Sequence, residues 1–171
     1  MSDSAVDSSL TEPNEVELLR TIFTYIAQIS NERDLDNLLI LLADMGRDLV
    51  TADRCTVWLV DVESGMLWSK VAHGLDRISI PKGIGIAGHV FGSGKAFITN
   101  DPYNESLFDK EVDEKTGYIT RSIIALPIFD SEGTVIGAFQ AINKMTKQGA
   151  FSEVDQEHLL LAATYVGKEL E

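Results

Sequence analysis

The chain has 171 residues, a length that suits one domain of ordinary size with its own hydrophobic core. Hydrophobic residues make up 44% of it, which indicates a globular protein, and a single cysteine, Cys55, excludes an internal disulfide and fits a reducing cytoplasm. The net charge is −13, from 27 acidic and 14 basic residues, so nucleic acid and anionic membranes are not expected partners.

The N-terminal segment, residues 1–12, is predicted to be a disordered tail, because it is rich in Ser, Asp and Thr and has little to bury. It lacks the features of a signal peptide, and no apolar run in the chain reaches the roughly 20 residues of a membrane span. A first helix follows, capped by Thr11 or Asn14. Its apolar residues recur at intervals of three and four, as in an amphipathic helix: Leu19, Ile22, Phe23, Ile26 and Ile29.

A second helix is predicted from its N-cap, Asp34, to about Val50. Its centre, residues 38–42, is apolar all round, so we expect other elements to cover it on both sides. Short β-branched and aromatic runs separated by Gly- and Pro-containing turns then predict four strands and a short helix. The strands are 55–60, 67–72, 78–80 and 96–99, and the helix is 84–94.

The segment 100–118 is long and polar, and it is predicted to be a loop with one helical turn inside it. Loops of this length in a compact domain usually carry function. After it, two apolar runs, 123–129 and 135–142, flank the polar turn 130–133. This pattern predicts a β-hairpin in the middle of a sheet.

A final helix over about 152–170 begins with the capping pattern of Ser152 and Asp155. The element order α-α-β-β-β-α-β-loop-β-β-α predicts an α+β fold. We expect a central antiparallel sheet with the N- and C-terminal helices on one side and the 100–118 loop on the other, as a lid over a ligand. Residues 13–171 are predicted to form this single domain.

Asp113, Thr116 and Thr120 recur every three or four residues, so on one helical turn and its exit they point the same way. A carboxylate and two hydroxyls beside a central sheet are typical of a small-molecule pocket. The alternative is that Asp113 caps a short helix and that the threonines satisfy loop backbone groups.

The G-x-G-x-x-G pattern at residues 83–88 matches the dinucleotide-binding fingerprint only by spacing, because later glycines limit the following helix to about two turns. The pattern still places a helix N-terminus at Ile86 and Ala87, where free backbone N–H groups can hold a phosphate. The alternative is a Gly-rich turn that only closes a loop.

Two segments carry a resemblance to a known family: D-x-x-T-G-x-x-T-R at 113–121 and N-K…F-x-x-x-D at 143–155. Over about residues 16–168 the chain resembles the GAF domains of cyclic-nucleotide phosphodiesterases and related cyclases. The resemblance implies a fold related to the PAS sensors and a regulatory domain that binds cAMP or cGMP. At positions that match the family's ligand contacts, it implies a binding set of Thr56, His73, Ile86, Ala87, Asp109, Asp113, Thr116, Thr120 and Gln140.

Two positions depart from the family's pattern. Ala72 stands where a family member can stack an aromatic ring on the purine, and Asp109 where another can place a tyrosine. Such stacking is worth about 0.5–1.5 kcal/mol beyond burial. Phe108 and Tyr118 are the candidates to replace the ring from the lid.

The remaining matched residues, Asn143, Lys144, Phe151 and Asp155, are expected to be structural. Lys144 and Asp155 are predicted to form an ion pair that ties the last strand to the last helix. The family's final glutamate is replaced here by Gln156.

No cofactor, metal or catalytic role is expected. The three histidines, His73, His89 and His158, show no metal-ligand spacing, and the chain contains no known nucleophile or phosphate-loop motif.

Three functions remain open from the sequence: a cyclic-nucleotide-binding regulatory domain, a dimerisation module with a vestigial pocket, and a sensor of a different small molecule. The consecutive leucines 159–161 point in three directions, which predicts a parallel homodimer through the first and last helices. The alternative is a monomer in which these leucines cover residues 38–42. The last helix reaches Glu171 without a Gly or Pro stop, so we expect a fragment of a longer signalling protein.

Overall fold

The computed structural model describes residues 10–70 and 77–170. Its helices are α1 (Glu15–Ile29), α2 (Leu35–Leu49), α3 (Gly85–Ser93), α4 (Glu111–Thr116) and α5 (Glu153–Glu169), with a 3-10 turn at Pro102–Asn104. Its strands are β1 (Ala52–Val60), β2 (Leu67–Ser69), β3 (Ile78–Ile80), β4 (Phe97–Thr99), β5 (Ile123–Phe129) and β6 (Val135–Lys144). The predicted order of elements is confirmed within these ranges, whereas most of the predicted tail lies outside them.

The six described strands form one sheet in the order β3-β2-β1-β6-β5-β4, and every neighbouring pair is antiparallel. The predicted hairpin of β5 and β6 is present, and β6 continues to pair with β1 across the centre of the sheet. Both hairpin strands therefore have a neighbour on each side, as their continuous apolar sequences indicate. The predicted α+β class is confirmed.

Local sequence explains where the long helices begin. Asn14, rather than Thr11, caps α1, and its side chain and that of Glu17 form a reciprocal capping box. Asp34 caps α2 as predicted, and Ser152 with Asp155 forms a second capping box at α5. Each cap satisfies backbone N–H groups that the first helical turn leaves without partners.

The sheet separates two apolar clusters. On one face, α1, α2 and α5 pack with inward residues of β1, β5 and β6, including Val57, Ile124 and Phe139. On the other face, α3 packs with the alternate residues of the same strands, including Trp58 and Ala138. This alternation follows from the two-residue repeat of a strand. It places α3 and the segment 100–120 on the face opposite the terminal helices.

The two terminal helices differ in what they contact. α1 packs on α2, which in turn packs on β1, whereas α5 packs on β5. The core-facing residues of α1 include Leu18 and Ile22, whereas Leu19 and Phe23 are 53% and 66% exposed. In α5, Leu159 is buried and its two successors, at 160 and 161, are exposed. The leucines of α5 therefore do not all cover the centre of α2.

Candidate ligand-binding site

A cavity of about 280 Å³ lies between β1, β6, the start of α3 and the segment 100–120. Eight of the nine predicted ligand-binding residues line it: Thr56, Ile86, Ala87, Asp109, Asp113, Thr116, Thr120 and Gln140. The ninth, His73, lies outside the described residues, as does Ala72. The volume is close to the lower end of the range for small-molecule pockets, roughly 300 Å³.

Asp113 is the most fully engaged polar residue of the cavity wall. Its side chain is in α4 and is buried. One carboxylate oxygen accepts hydrogen bonds from the Tyr103 hydroxyl at 2.6 Å and the Thr120 N–H at 2.8 Å, and the other accepts from the Thr120 hydroxyl at 2.9 Å. The carboxylate thus fixes the exit of α4. It does not cap the helix, as the alternative from the sequence had it, because Asp113 lies within α4, whose N-cap is Lys110.

The hydrogen bond to Asp113 also changes the acidity of its partner. It raises the pKa of Tyr103 to about 12, with burial and the negative charge of Asp113 acting in the same direction. The phenol proton is therefore held between the two side chains across the working pH range of most proteins.

The hydroxyl groups of Thr116 and Thr120 both donate hydrogen bonds within the protein. Thr116 donates to the Val112 carbonyl at 2.8 Å and accepts from the Tyr118 N–H at 3.2 Å, which leaves it one acceptor site. Thr120 donates to Asp113. A hydroxyl that donates in this way keeps acceptor capacity. The α4 wall of the cavity is therefore an acceptor wall, which suits hydrogen-bond donors on a ligand.

The sheet contributes a second polar surface. Thr56 and Gln140 are direct partners in the β1–β6 register, so their side chains lie next to each other on the cavity face. Neither side chain has a hydrogen-bond partner among the described residues. Arg54 lies two residues before Thr56 on the same face and also lines the cavity.

The third wall is the N-terminus of α3. Ile84 occupies the N-cap and makes no side-chain capping bond, so the N–H groups of the first turn have no side-chain partner. Ile86 and Ala87 begin this turn and line the cavity. The helix dipole and these N–H groups together favour an anion.

The glycines before and within α3 have a structural reason of their own. Gly83 and Gly85 adopt positive φ angles of 88° and 71°. A Cβ at Gly88 would lie 2.8 Å from the backbone nitrogen of Gly83. The spacing of these glycines is therefore explained by a tight turn packed against a short helix. Anion binding by this turn stays a separate prediction.

Phe108 and Tyr118, the two candidates to supply an aromatic ring from the lid, both line the cavity. Phe108 stacks edge-on with Tyr103, with ring centres 5.4 Å apart. Tyr118 is buried, donates its hydroxyl proton to Asp53 at 2.6 Å, and lies under the Arg54 guanidinium at 3.9 Å. Both rings therefore make contacts within the chain itself.

Trp58 is a lining residue that the sequence interpretation missed. It lies two residues after Thr56 on β1, is only 8% exposed, and borders the cavity. Its indole N–H is the one buried side-chain polar group without a hydrogen-bond partner in the described part of the chain. The period-two spacing from Thr56 was the signal that could have found it.

The N-K…F-x-x-x-D residues support this site from behind. The Asn143 side chain accepts from the Arg121 N–H at 2.6 Å and donates to the Ile119 carbonyl at 2.8 Å, so it holds the segment that leads from the cavity wall into β5. Asn143 itself has a φ of 62°, a conformation that asparagine tolerates better than most residues. The Phe151 N–H and carbonyl both bond the side chain of Asn100, at the start of the lid segment.

The predicted ion pair is present. Lys144 Nζ lies 2.6 Å from Asp155 Oδ1, and both side chains are buried. Lys144 also donates to the Val50 carbonyl at 2.9 Å and contacts the Glu12 carboxylate at 2.8 Å. The last strand, the last helix and the segment before α1 therefore meet at one ammonium group.

Cys55 lies on the other face of the sheet from the cavity. Its neighbour in space is Gly46 of α2, where an added Cβ would lie 3.2 Å from the sulfur. Burial raises the pKa of the Cys55 thiol well above its usual value. A thiol in this state is a poor nucleophile.

Within residues 10–70 and 77–170, no group of three or more His, Cys, Asp or Glu side chains is arranged to hold a metal ion. None of the helices in the same ranges combines the length and the apolar character needed to cross a membrane.

The sheet, its flanking helices and the cavity opposite them are the arrangement of a sensor-type α+β domain. A family model for the GAF domain matches residues 34–170. The chain belongs to the GAF domain family.

Two curated relatives are phosphodiesterases. The chain is 32% identical over 174 residues to the dual 3',5'-cyclic-AMP and -GMP phosphodiesterase 11A of Takifugu rubripes, covering 92% of this chain and 19% of the relative. It is also 32% identical over 167 residues to the dual 3',5'-cyclic-AMP and -GMP phosphodiesterase 11 of Drosophila melanogaster, covering 87% of this chain and 11% of the relative. The chain therefore spans a fifth or less of the length of these two relatives.

Solved structures share the fold at low sequence identity. The GAF domain of a phosphoenolpyruvate-protein phosphotransferase from Coxiella burnetii has a TM-score of 0.76 at 16% identity, covering 92% of this chain and 95% of that one. Free methionine-R-sulfoxide reductase from Neisseria meningitidis, in complex with its substrate, has a TM-score of 0.72 at 20% identity, covering 95% of each chain. The same fold therefore occurs in a domain of a larger enzyme and in an enzyme that consists of little else.

Proposed function

We propose that this GAF domain is a regulatory module that binds a cyclic nucleotide, cAMP or cGMP, in the described cavity. The observation that carries the proposal is the convergence of eight predicted ligand-binding residues, from four separate parts of the chain, on one cavity. Two relatives are dual 3',5'-cyclic-AMP and -GMP phosphodiesterases, which supports the same ligand class.

The cavity's polarity suggests how such a ligand lies in it. The α3 amides suit the phosphate, because a helix N-terminus favours an anion. The α4 wall of Asp113, Thr116 and Thr120 offers acceptors and suits donors on the sugar or base. Thr56 and Gln140 lie between them with side chains that can both donate and accept, and such side chains fit either purine.

Binding is favoured over catalysis by the position of the one cysteine. Cys55 lies on the helix side of the sheet, away from the cavity, and its raised pKa disfavours the thiolate. Reductase chemistry like that named for the structural neighbour from Neisseria meningitidis needs a redox group, and the described cavity residues include none.

A signal can leave the cavity through the groups that support it. Asn143 holds residues 119–121, next to the cavity wall, and Lys144 follows Asn143 directly. The buried Lys144–Asp155 pair then joins β6 to the first turn of α5. We propose that closure of the lid, residues 100–118, shifts β6 and thereby α5.

The output of this shift is proposed to be a change in a parallel homodimer formed through α1 and α5. An apolar stripe on α1, of Val16, Leu19 and Phe23, is exposed, and so are Leu160 and Leu161 of α5. Exposed apolar surface on adjoining terminal helices is usually covered by a partner.

A dimerisation module with a vestigial pocket is the second candidate, and one observation favours it. Asp113 makes three hydrogen bonds within the chain, so it can hold the lid segment without any ligand. In that case the cavity is a by-product of the fold, and only the terminal helices carry function.

Calorimetry of the purified 171-residue chain against cAMP, cGMP and a panel of small metabolites tests the proposal. Saturable binding of either cyclic nucleotide is the expected result. If another metabolite binds and neither cyclic nucleotide does, the domain is a sensor of a different small molecule. If no compound in the panel binds, the result supports the dimerisation module with a vestigial pocket.

A further inference from the structure

The indole N–H of Trp58 is an unusual feature of an otherwise satisfied interior. Trp58 is only 8% exposed, yet this N–H has no hydrogen-bond partner among the described residues. Most buried polar side-chain atoms in native proteins are paired, and leaving one unpaired costs roughly 1–3 kcal/mol. A donor that remains open at this cost, beside a cavity, indicates a partner that the chain does not itself supply.

The surroundings of Trp58 show where that partner would lie. Trp58 packs in one apolar cluster with Ile86 and Ala87, the residues of the first turn of α3, and all three line the cavity. The N-cap of α3 makes no side-chain bond, so the amides of this turn are also without a side-chain partner. Two sets of unpaired donors, one from β1 and one from α3, therefore belong to residues that line the same cavity. The Trp58 N–H is itself buried, so the ring has to shift for this donor to reach a ligand.

The chemistry of these donors restricts the ligand group. An indole N–H and a backbone N–H can only donate, so the group between them must be a hydrogen-bond acceptor. The helix N-terminus adds a positive potential, which favours an anion over a neutral carbonyl. A phosphate presents several acceptor oxygens and negative charge, and it satisfies both conditions.

We propose that Trp58 is a direct ligand contact whose indole N–H donates to a phosphate oxygen of the bound nucleotide, while the first-turn amides of α3 hold another oxygen of the same phosphate. This inference rests on the proposed function, because it assigns one further residue to the same site. It makes Trp58 a specificity-determining residue for phosphorylated ligands.

The first test compares Trp58→Phe with Trp68→Phe. Phenylalanine keeps a ring but removes the indole donor. Trp68 is the chain's only other tryptophan, does not line the cavity, and lies under the Arg77 guanidinium. In calorimetry, Trp58→Phe should bind the cyclic nucleotide about tenfold more weakly, the effect of losing a hydrogen bond to a charged group. Trp68→Phe should bind it as the unchanged chain does.

Phosphorothioate analogues identify the acceptor atom. In each of the two diastereomers, sulfur replaces one exocyclic phosphate oxygen. If Trp58 donates to one of these oxygens, sulfur at that oxygen should weaken binding to the unchanged chain. Trp58→Phe should no longer discriminate at that oxygen, while the discrimination at the oxygen held by α3 remains, so the preference between the diastereomers should change. A preference of the same size in both chains would overturn the inference.

A spectroscopic measurement avoids dependence on how well Trp58→Phe folds. The Trp68→Phe chain, labelled with ¹⁵N, has a single indole N–H signal, that of Trp58. Addition of cyclic nucleotide should move this signal downfield and slow its exchange with water. An unmoved signal under saturating ligand would overturn the inference while the proposed function stands. Absence of nucleotide binding by the unchanged chain would overturn both.

Discussion

Lys144 and Asp155 form a buried ion pair, with 2.6 Å between Nζ and Oδ1, that joins the end of the central strand to the start of the last helix. The same ammonium group reaches Glu12, whose side chain is 60% exposed. One cation thus has a buried and an exposed carboxylate partner. The two ion pairs should differ greatly in their contribution to the free energy of unfolding.

Lys144→Met should lower the free energy of unfolding by about 3–5 kcal/mol, because it leaves the Asp155 carboxylate buried without its cation. Glu12→Gln is the matched control, and it should cost less than about 1 kcal/mol because the pair it breaks is exposed. Urea denaturation of the two variants measures both values. Equal losses would show that burial does not set the strength of these contacts.

Asp113→Asn should loosen the lid segment. The amide cannot accept all three of the hydrogen bonds that the carboxylate accepts from Tyr103 and Thr120. We expect a loss of about 1–3 kcal/mol in the free energy of unfolding. Amide exchange should rise across residues 101–120 and remain unchanged in α2, whereas an increase spread over both regions would contradict a local role.

The same contact predicts a pH dependence. Because the pKa of Tyr103 is raised to about 12, the folded chain holds this proton more tightly than the unfolded chain does. The stabilisation is therefore complete below about pH 10, the ordinary pKa of tyrosine, and is lost as the pH rises towards the raised value. In Asp113→Asn, tyrosinate absorbance should appear at lower pH than in the unchanged chain. Tyr103→Phe identifies the signal, since it removes the group that titrates.

Thr116→Ala should weaken cyclic-nucleotide binding by about 1–3 kcal/mol, because a ligand donor would lose its acceptor in the α4 wall. Thr24→Ala is a matched control, since the Thr24 hydroxyl makes the same kind of bond, to the carbonyl four residues earlier, on α1. Calorimetry should give unchanged affinity for the control and similar melting temperatures for both. If both variants bind alike, Thr116 does not contact the ligand.

The lid is expected to become ordered when ligand binds. Phe108, Asp109, Val112 and Thr116 line the cavity from this segment, so a ligand adds contacts to it. Hydrogen exchange of the amides at 109–118 should slow on addition of cyclic nucleotide, while exchange in α1 provides the internal reference. Identical exchange with and without bound ligand would mean that the segment is not a lid.

The homodimer predicts a mass of two chains in light scattering at tens of micromolar. Leu160→Glu and Leu161→Glu should reduce it to one chain, because each places a charge on the exposed face of α5. Val62→Glu is the control: Val62 is 89% exposed but lies in the turn after β1, away from α1 and α5. A mass of one chain for the unchanged protein would end the dimer proposal.

The sequence by itself determined the elements and eight of the eighteen residues that line the cavity. Helical periodicity, capping residues and apolar strand runs depend on local geometry, so α2, α5 and the β5–β6 hairpin were predictable close to their observed bounds. The family-specific segments 113–121 and 143–155 then identified residues on separate elements that meet at one cavity and its support. These residues were recognisable because their types and spacing match the pattern of the family that the chain resembles.

Only the tertiary structure decided how the polar groups of the site are used. Hydrogen-bond partners depend on which elements come within about 3 Å of each other, and spacing along the chain does not contain that information. Asp113 is occupied by Tyr103 and Thr120, whereas the Trp58 indole N–H is open because no described residue reaches it. For the same reason the sequence could not show which face of α1 packs inward. Leu18 lies against the core, whereas Leu19 is exposed. The position of α2 selects the buried face.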